Sequence, residues 1–147
     1  MDYQNSFSIS AAGMGVERMR VEVSALNLAN AHTVADPNGL GFQPLRVVAR
    51  AALSGHAAGS GAFSVMVGRG LAGPSATVEP TDRPVRKVLE PGHPLADAKG
   101  FVSYPGVDTT AEMLTLMSAT RAYEANVAAM NAARSMALKA LDIGGGS

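Results

Sequence analysis

The chain has 147 residues and a mass of 15.0 kDa, enough for one ordinary folding unit, so two independent domains are not expected. Twelve basic and twelve acidic side chains balance, so no whole-chain field draws in nucleic acid or an anionic bilayer. Cysteine is absent, which excludes a disulfide framework and thiolate metal sites; a 47% hydrophobic content with only 5% aromatics favours Ala, Val, Leu and Met packing between helices.

Proline and glycine divide the chain into three segments, 1–36, 37–108 and 109–147. All eight prolines lie between Pro37 and Pro105, and eleven of the sixteen glycines between Gly39 and Gly106, so long helices are expected only at the two ends. Met1-Asp2-Tyr3-Gln4-Asn5 carries an acid and no basic stretch, so a cleaved secretory signal is not expected. The uncharged run Ala51 to Gly68 is too interrupted by Ser, Gly and His56 to span a membrane.

In the first segment, Ile9, Val16, Val23 and Asn30 recur every seven residues, with Ala12, Met19, Leu26 and Thr33 three positions on. That pattern predicts one seam of an amphipathic helix, with Glu17, Arg18, Arg20 and Glu22 off the seam. Gly13 and Gly15 each cost roughly 1 kcal/mol in a helix, so the segment is expected to order fully only against a partner.

The middle segment predicts a small β-rich or irregular insert with short strands at Leu45 to Ala49, Ala62 to Val67 and Thr77 to Glu79, separated by glycine-rich loops such as Gly55 to Gly61. Gly68-Arg69-Gly70 lacks the spacing of a phosphate-binding loop. Arg83, Arg86 and Lys87 form one basic cluster, but Asp82 and Glu90 flank it and no aromatics interleave, which favours a partner-facing strand over nucleic acid. His93, bracketed by Pro91 and Pro94 and near Asp97, Glu90 and Ser103, admits a hydrolase constellation, yet no nucleophile elbow is present and a structural hydrogen-bonding role is favoured. His32, His56 and His93 show no metal-ligand spacing, and no cofactor is expected.

The last segment is the strongest. Thr109-Thr110-Ala111-Glu112 reads as a capping box and Gly144 as a stop, giving a helix from about Thr110 to Asp142, roughly 50 Å long at about 1.5 Å per residue. One seam runs through Met113, Leu116, Thr120, Tyr123, Val127, Met130, Arg134, Ala137 and Leu141. Nearly opposite runs a small apolar stripe of Ser118, Ala122, Ala125, Ala129, Ala132 and Met136. Met113, Met117, Met130 and Met136 read as core or interface filler. The first helix can cover one side; the other calls for the middle segment or for further copies or relatives of the chain, with assembly favoured. Asn30 and Arg134, polar on apolar seams, either select register or reach water near the helix ends.

Several motifs are similar to those of a known family. Ala25-Leu26-Asn27-Leu28-Ala29-Asn30-Ala31-His32-Thr33 resembles the Asn–Ala–Asn–Thr signature of the axial proteins of the bacterial flagellum. Asp82-Arg83-Pro84, Pro91 through Val102, Ala119 through Val127 and Ser135-Met136 resemble, more narrowly, the proximal-rod proteins of the basal body. Leu26, His32 and Pro105-Gly106-Val107 depart from the usual pattern.

The resemblance implies a mainly α protein whose terminal helices pack as an antiparallel-type coiled coil and assemble into a helical tube. It further implies a structural and non-enzymatic role, with no small-molecule substrate. The implied place is the periplasmic rod of the flagellar basal body, reached through type III export. The implied partners are other rod proteins, copies of the chain, the export apparatus and basal-body rings. Assembly residues on this reading are Ile9, Val16, Met19, Val23, Leu26, Asn27, Asn30, Met113, Leu116, Tyr123, Asn126, Val127, Ala129, Met130, Arg134 and Met136, with Arg83, Pro91, His93 and Pro94 in an inter-subunit segment. The alternatives are a soluble helical secretion chaperone or adaptor, and a small hydrolase using His93.

Overall fold

A computed structural model describes residues 3–35, 41–50 and 73–144. Helix α1 spans Tyr3–Ala29, strands β1 and β2 span Leu45–Arg50 and Ser75–Pro80, strands β3 and β4 span Arg86–Leu89 and Phe101–Tyr104, and helix α2 spans Thr109–Gly144. The described part is mainly helical with a small β insert, as the distribution of proline and glycine requires. No helix among the described residues is long and apolar enough to cross a membrane.

β1 and β2 form one two-stranded sheet and β3 and β4 another, the latter antiparallel with Arg86 opposite Tyr104 and Leu89 opposite Phe101. The strands expected at 45–49 and 77–79 are present and slightly longer. The β3–β4 hairpin escaped the sequence reading. Its strands are four residues each with no clean alternation, and the chain between them is dominated by turn residues. The expected strand at 62–67, the loop 55–61, His56 and Gly68-Arg69-Gly70 fall outside the described residues.

The chain groups into two compact units, each assembled from separate stretches: residues 1–19, 48–77 and 119–147 in one, 20–47 and 78–118 in the other. In the first unit Gly13 of α1 stands against Asn126 of α2. A Cβ on Gly13 would lie 3.2 Å from the Asn126 amide atoms, so glycine permits this close approach.

The second unit is tied together by hydrogen bonds onto backbone groups, from side chains and from the backbone itself. Asn27, with no exposed surface, donates from Nδ2 to the Leu45 carbonyl at 2.8 Å and accepts from the Leu45 N–H at 2.9 Å. A primary amide here acts as one residue of a β-ladder, satisfying both orphan groups at the start of β1. Thr81 donates to the Pro44 carbonyl through its N–H at 2.7 Å and its hydroxyl at 3.0 Å, and the Ala35 N–H donates to the Ser103 carbonyl at 2.9 Å. Val23, Ser24, Ala31 and Val102 are buried in this unit.

The helix ends differ in detail from the sequence reading. The N-cap of α2 is Asp108, whose Oδ1 accepts from the N–H groups of Thr110 at 3.0 Å and Ala111 at 3.1 Å. The expected box beginning at Thr109 is thus displaced by one residue, because aspartate outranks threonine as acceptor for the first-turn donors. α1 stops at Ala29, earlier than a helix filling 1–36. Asn30 turns its amide back onto the Leu26 carbonyl at 2.9 Å and accepts from Thr33 Oγ1 at 3.2 Å, competing with the backbone for the bonds that would continue the helix.

Candidate functional site

α2 buries a narrower and smaller row than its largest apolar residues suggest. Ala119 and Ala133 are buried and Leu116, Asn126, Met130 and Ala137 half-buried. The half-buried positions 116, 130 and 137 are shared with the expected seam, whereas Tyr123 on the same row is exposed. The second row is 112, 119, 126 and 133 in place of 113, 120, 127 and 134. Size accounts for this: the small Ala119 and Ala133 suit a close approach like that of Gly13 to Asn126, and the bulkier Met113 (57% exposed) and Val127 remain outside. In α1 the same displacement of one residue buries Asn27 and leaves the adjacent Leu26 exposed.

The remaining surface of α2 is unusually apolar. Met113, Met117, Val127 and Leu138 are exposed on one flank, and Leu114, Ala125, Ala129, Ala132 and Met136 on the other. Met113, Met117 and Met136 therefore do not fill a core within the chain; each is more than half exposed. Single exposed apolar residues are ordinary on soluble proteins, whereas two rows along one 36-residue helix are not.

The expected assembly residues divide accordingly. Val16, Val23 and Asn27 are buried and serve the chain's own packing. Met19, Asn30, Leu116, Asn126 and Met130 are half-buried. Ile9, Leu26, Met113, Tyr123, Val127, Ala129, Arg134 and Met136 are exposed. The stripe Ser118, Ala122, Ala125, Ala129, Ala132 and Met136 is exposed except for the half-buried Ala122.

The hairpin holds the other predicted residues. Asp97 organises the loop between β3 and β4: its Oδ1 accepts from the N–H groups of Lys99 at 2.8 Å and Phe101 at 2.9 Å, and its own N–H donates to the Phe101 carbonyl at 2.9 Å. The Phe101 and Lys99 N–H groups hold the Asp97 carboxyl below its ordinary value of 3.8, with Lys87 and Lys99 adding to the same direction. Gly100 closes the loop with φ of 81°, a conformation that strains any other residue.

His93 accepts from the Leu95 N–H through Nδ1 at 3.1 Å, the structural role favoured from sequence. Asp97 is engaged with backbone donors and does not orient it. Pro91, Pro94 and Arg83 are exposed and His93 half-buried. Arg86 lies over the Tyr104 ring at 5.5 Å, and the Tyr104 hydroxyl reaches both Glu90 carboxylate oxygens at 3.3 Å. Burial first, then the Glu90 charge, push the Tyr104 hydroxyl up, so it stays a neutral donor near pH 7.

Residues 98–143, which contain β4 and nearly all of α2, match the family described as the C-terminal part of the flagellar basal body rod FlgEFG proteins. Over 140 residues the chain is 40% identical to the flagellar basal-body rod protein FlgC of Escherichia coli O6:H1, covering 95% of this chain and 96% of that one. It is 38% identical to the FlgC of Bacillus subtilis over 145 residues, covering 95% and 97%. It is 30% identical to the FlgC of Borreliella burgdorferi over 148 residues, covering 95% of each. Such likeness along nearly the full length assigns the chain to the FlgC family of flagellar basal-body rod proteins, structural subunits of the rod.

Proposed function

We propose that this chain polymerises through α1 and α2 in the proximal rod, its terminal helices packed as an antiparallel coiled coil within a helical tube, its middle segment outside. The mechanism is mechanical. A shaft transmits torque from motor to hook only if each subunit shares contact with several neighbours, and its lumen passes later subunits outward. The observation that carries this reading is the pair of apolar flanks on α2, with Met113 and Met117 on one side and Ala129 and Met136 on the other. Covering them at roughly 25 cal/mol per Å² gives each subunit a drive toward several neighbours at once. Alanines on the second flank admit another helix backbone closely, as Gly13 does at Asn126.

On this reading the partners are other rod proteins and copies of the chain, met in the periplasm after type III export without a cleaved signal; basal-body ring components adjoin them. Arg83, Pro91, His93 and Pro94 lie in a segment directed at neighbouring subunits, and the terminal helices complete their order on assembly. The test is Ala129→Glu. It places a charge on the second flank without disturbing the chain's own packed row, so the variant is expected to be exported but absent from rods, and cells to be non-motile. Wild-type swimming by that variant would remove the flank from the assembly surface.

A further inference from the structure

The two edges of the β3–β4 sheet are treated oppositely by the fold. The Glu90 N–H donates to the Gly100 carbonyl at 2.8 Å, so the pairs 88–102 and 86–104 carry the ladder bonds and residues 87, 89, 101 and 103 turn their backbone groups outward. On the β4 side three of the four outward groups are engaged. Phe101 donates to Asp97 Oδ1 and accepts from the Asp97 N–H, and the Ser103 carbonyl accepts from the Ala35 N–H. On the β3 side the outward N–H and C=O of Lys87 and Leu89 meet no group among the described residues.

The face beside that edge is partly apolar. Lys87 and Leu89 turn onto one face of the sheet with Phe101, while Val88 and Val102 turn to the other, where Val102 is fully buried; Val85 directly precedes β3. Val85 is 54% and Leu89 59% exposed. Lys87 and Lys99 flank a shallow depression over Asp97 and Phe101, and the Asp97 carboxylate is already committed to two backbone donors. The edge thus offers two apolar side chains with a cation between them.

We propose that β3 accepts a third strand: an extended segment of a neighbouring rod subunit, apolar opposite Val85 and Leu89 and acidic opposite Lys87. This rests on the reading of the chain as a rod subunit. Open edges of this kind take up extended peptides through main-chain bonds, with alternate side chains setting specificity. Lys87 rejects a purely apolar strand, which protects the monomer from indiscriminate pairing, and selects a carboxylate.

Residue-resolved amide exchange on the wild-type protein, free and in purified rods, provides the test. In the free subunit the Arg86 and Val88 amides are expected to be slow and those of Lys87 and Leu89 fast. In rods the Lys87 and Leu89 amides are expected to slow by about tenfold or more. Lys87→Pro removes an outward N–H without touching the ladder, and Lys87→Glu reverses the charge. Both are expected to lower incorporation into rods about tenfold, and Lys87→Ala less. Equal exchange of the Lys87 and Leu89 amides in rods and free subunit overturns strand addition, whatever the variants do. Wild-type incorporation of Lys87→Glu overturns the acidic character of the partner. A wild-type chain absent from purified rods would instead overturn the reading of the protein as a rod component.

Discussion

Replacing Asn27 with alanine isolates the bond that ties α1 to the start of β1. The side chain is fully buried, and both its donor and its acceptor are used on Leu45, at 2.8 and 2.9 Å. Alanine leaves the Leu45 N–H and C=O without partners in a part-buried position. Each such orphan costs about 1–3 kcal/mol, so the variant is expected to lose about 2–6 kcal/mol. Asn27→Asp keeps the acceptor for the Leu45 N–H but sets a carboxylate against the Leu45 carbonyl. Asn27→Leu restores volume and leaves both groups orphaned, so it is expected to fare no better than alanine. Urea unfolding followed by circular dichroism measures the loss, and exchange of the Leu45 amide localises it. A change in stability below about 0.5 kcal/mol for Asn27→Ala, with the Leu45 amide still protected, would falsify the bridging role.

Other perturbations separate neighbouring explanations. Asp108→Ala is expected to cost about 0.5–2 kcal/mol and to fray the first turn of α2, while Thr109→Ala costs little, since Asp108 holds the first-turn donors; the reverse order in thermal melts would restore the box beginning at Thr109. Asp97 is bound more tightly as a carboxylate in the folded hairpin, so its contribution is fully present above 3.8 and is lost as pH falls through its lower folded value. Protection of the Lys99 and Phe101 amides is therefore expected to hold from neutral pH down to that range and then fall, with no such step in Asp97→Asn; an identical acid step in the variant would assign it to another group.

The sequence made the long helices legible because the signal was negative as well as periodic: proline and glycine leave room for long helices only outside 37–106. The exact seam was harder to read. In α2 the row at 116, 123, 130 and 137 pairs with either neighbouring row, and bulk favours 113 and 127 where packing selects 119 and 133. Periodicity ranks residues by hydrophobicity, whereas close approach ranks them by size. Asn27 shows the same limit, since a buried amide on a helix becomes intelligible only when the distant backbone it serves, at Leu45, is in place. The hairpin loop was legible as a family motif, yet the division of labour among Asp97, Gly100 and His93 required the backbone geometry. His93 had drawn a chemical reading and takes a local hydrogen bond.

The proposal that neighbouring subunits cover the apolar flanks of α2 in the rod is directly measurable, because the chain has no native cysteine. Ala129→Cys places one thiol on the exposed alanine stripe with little change in size. Maleimide is expected to label it completely in the free subunit and scarcely at all in purified rods. Equal labelling in both states would mean that this side of the helix stays open to solvent after assembly.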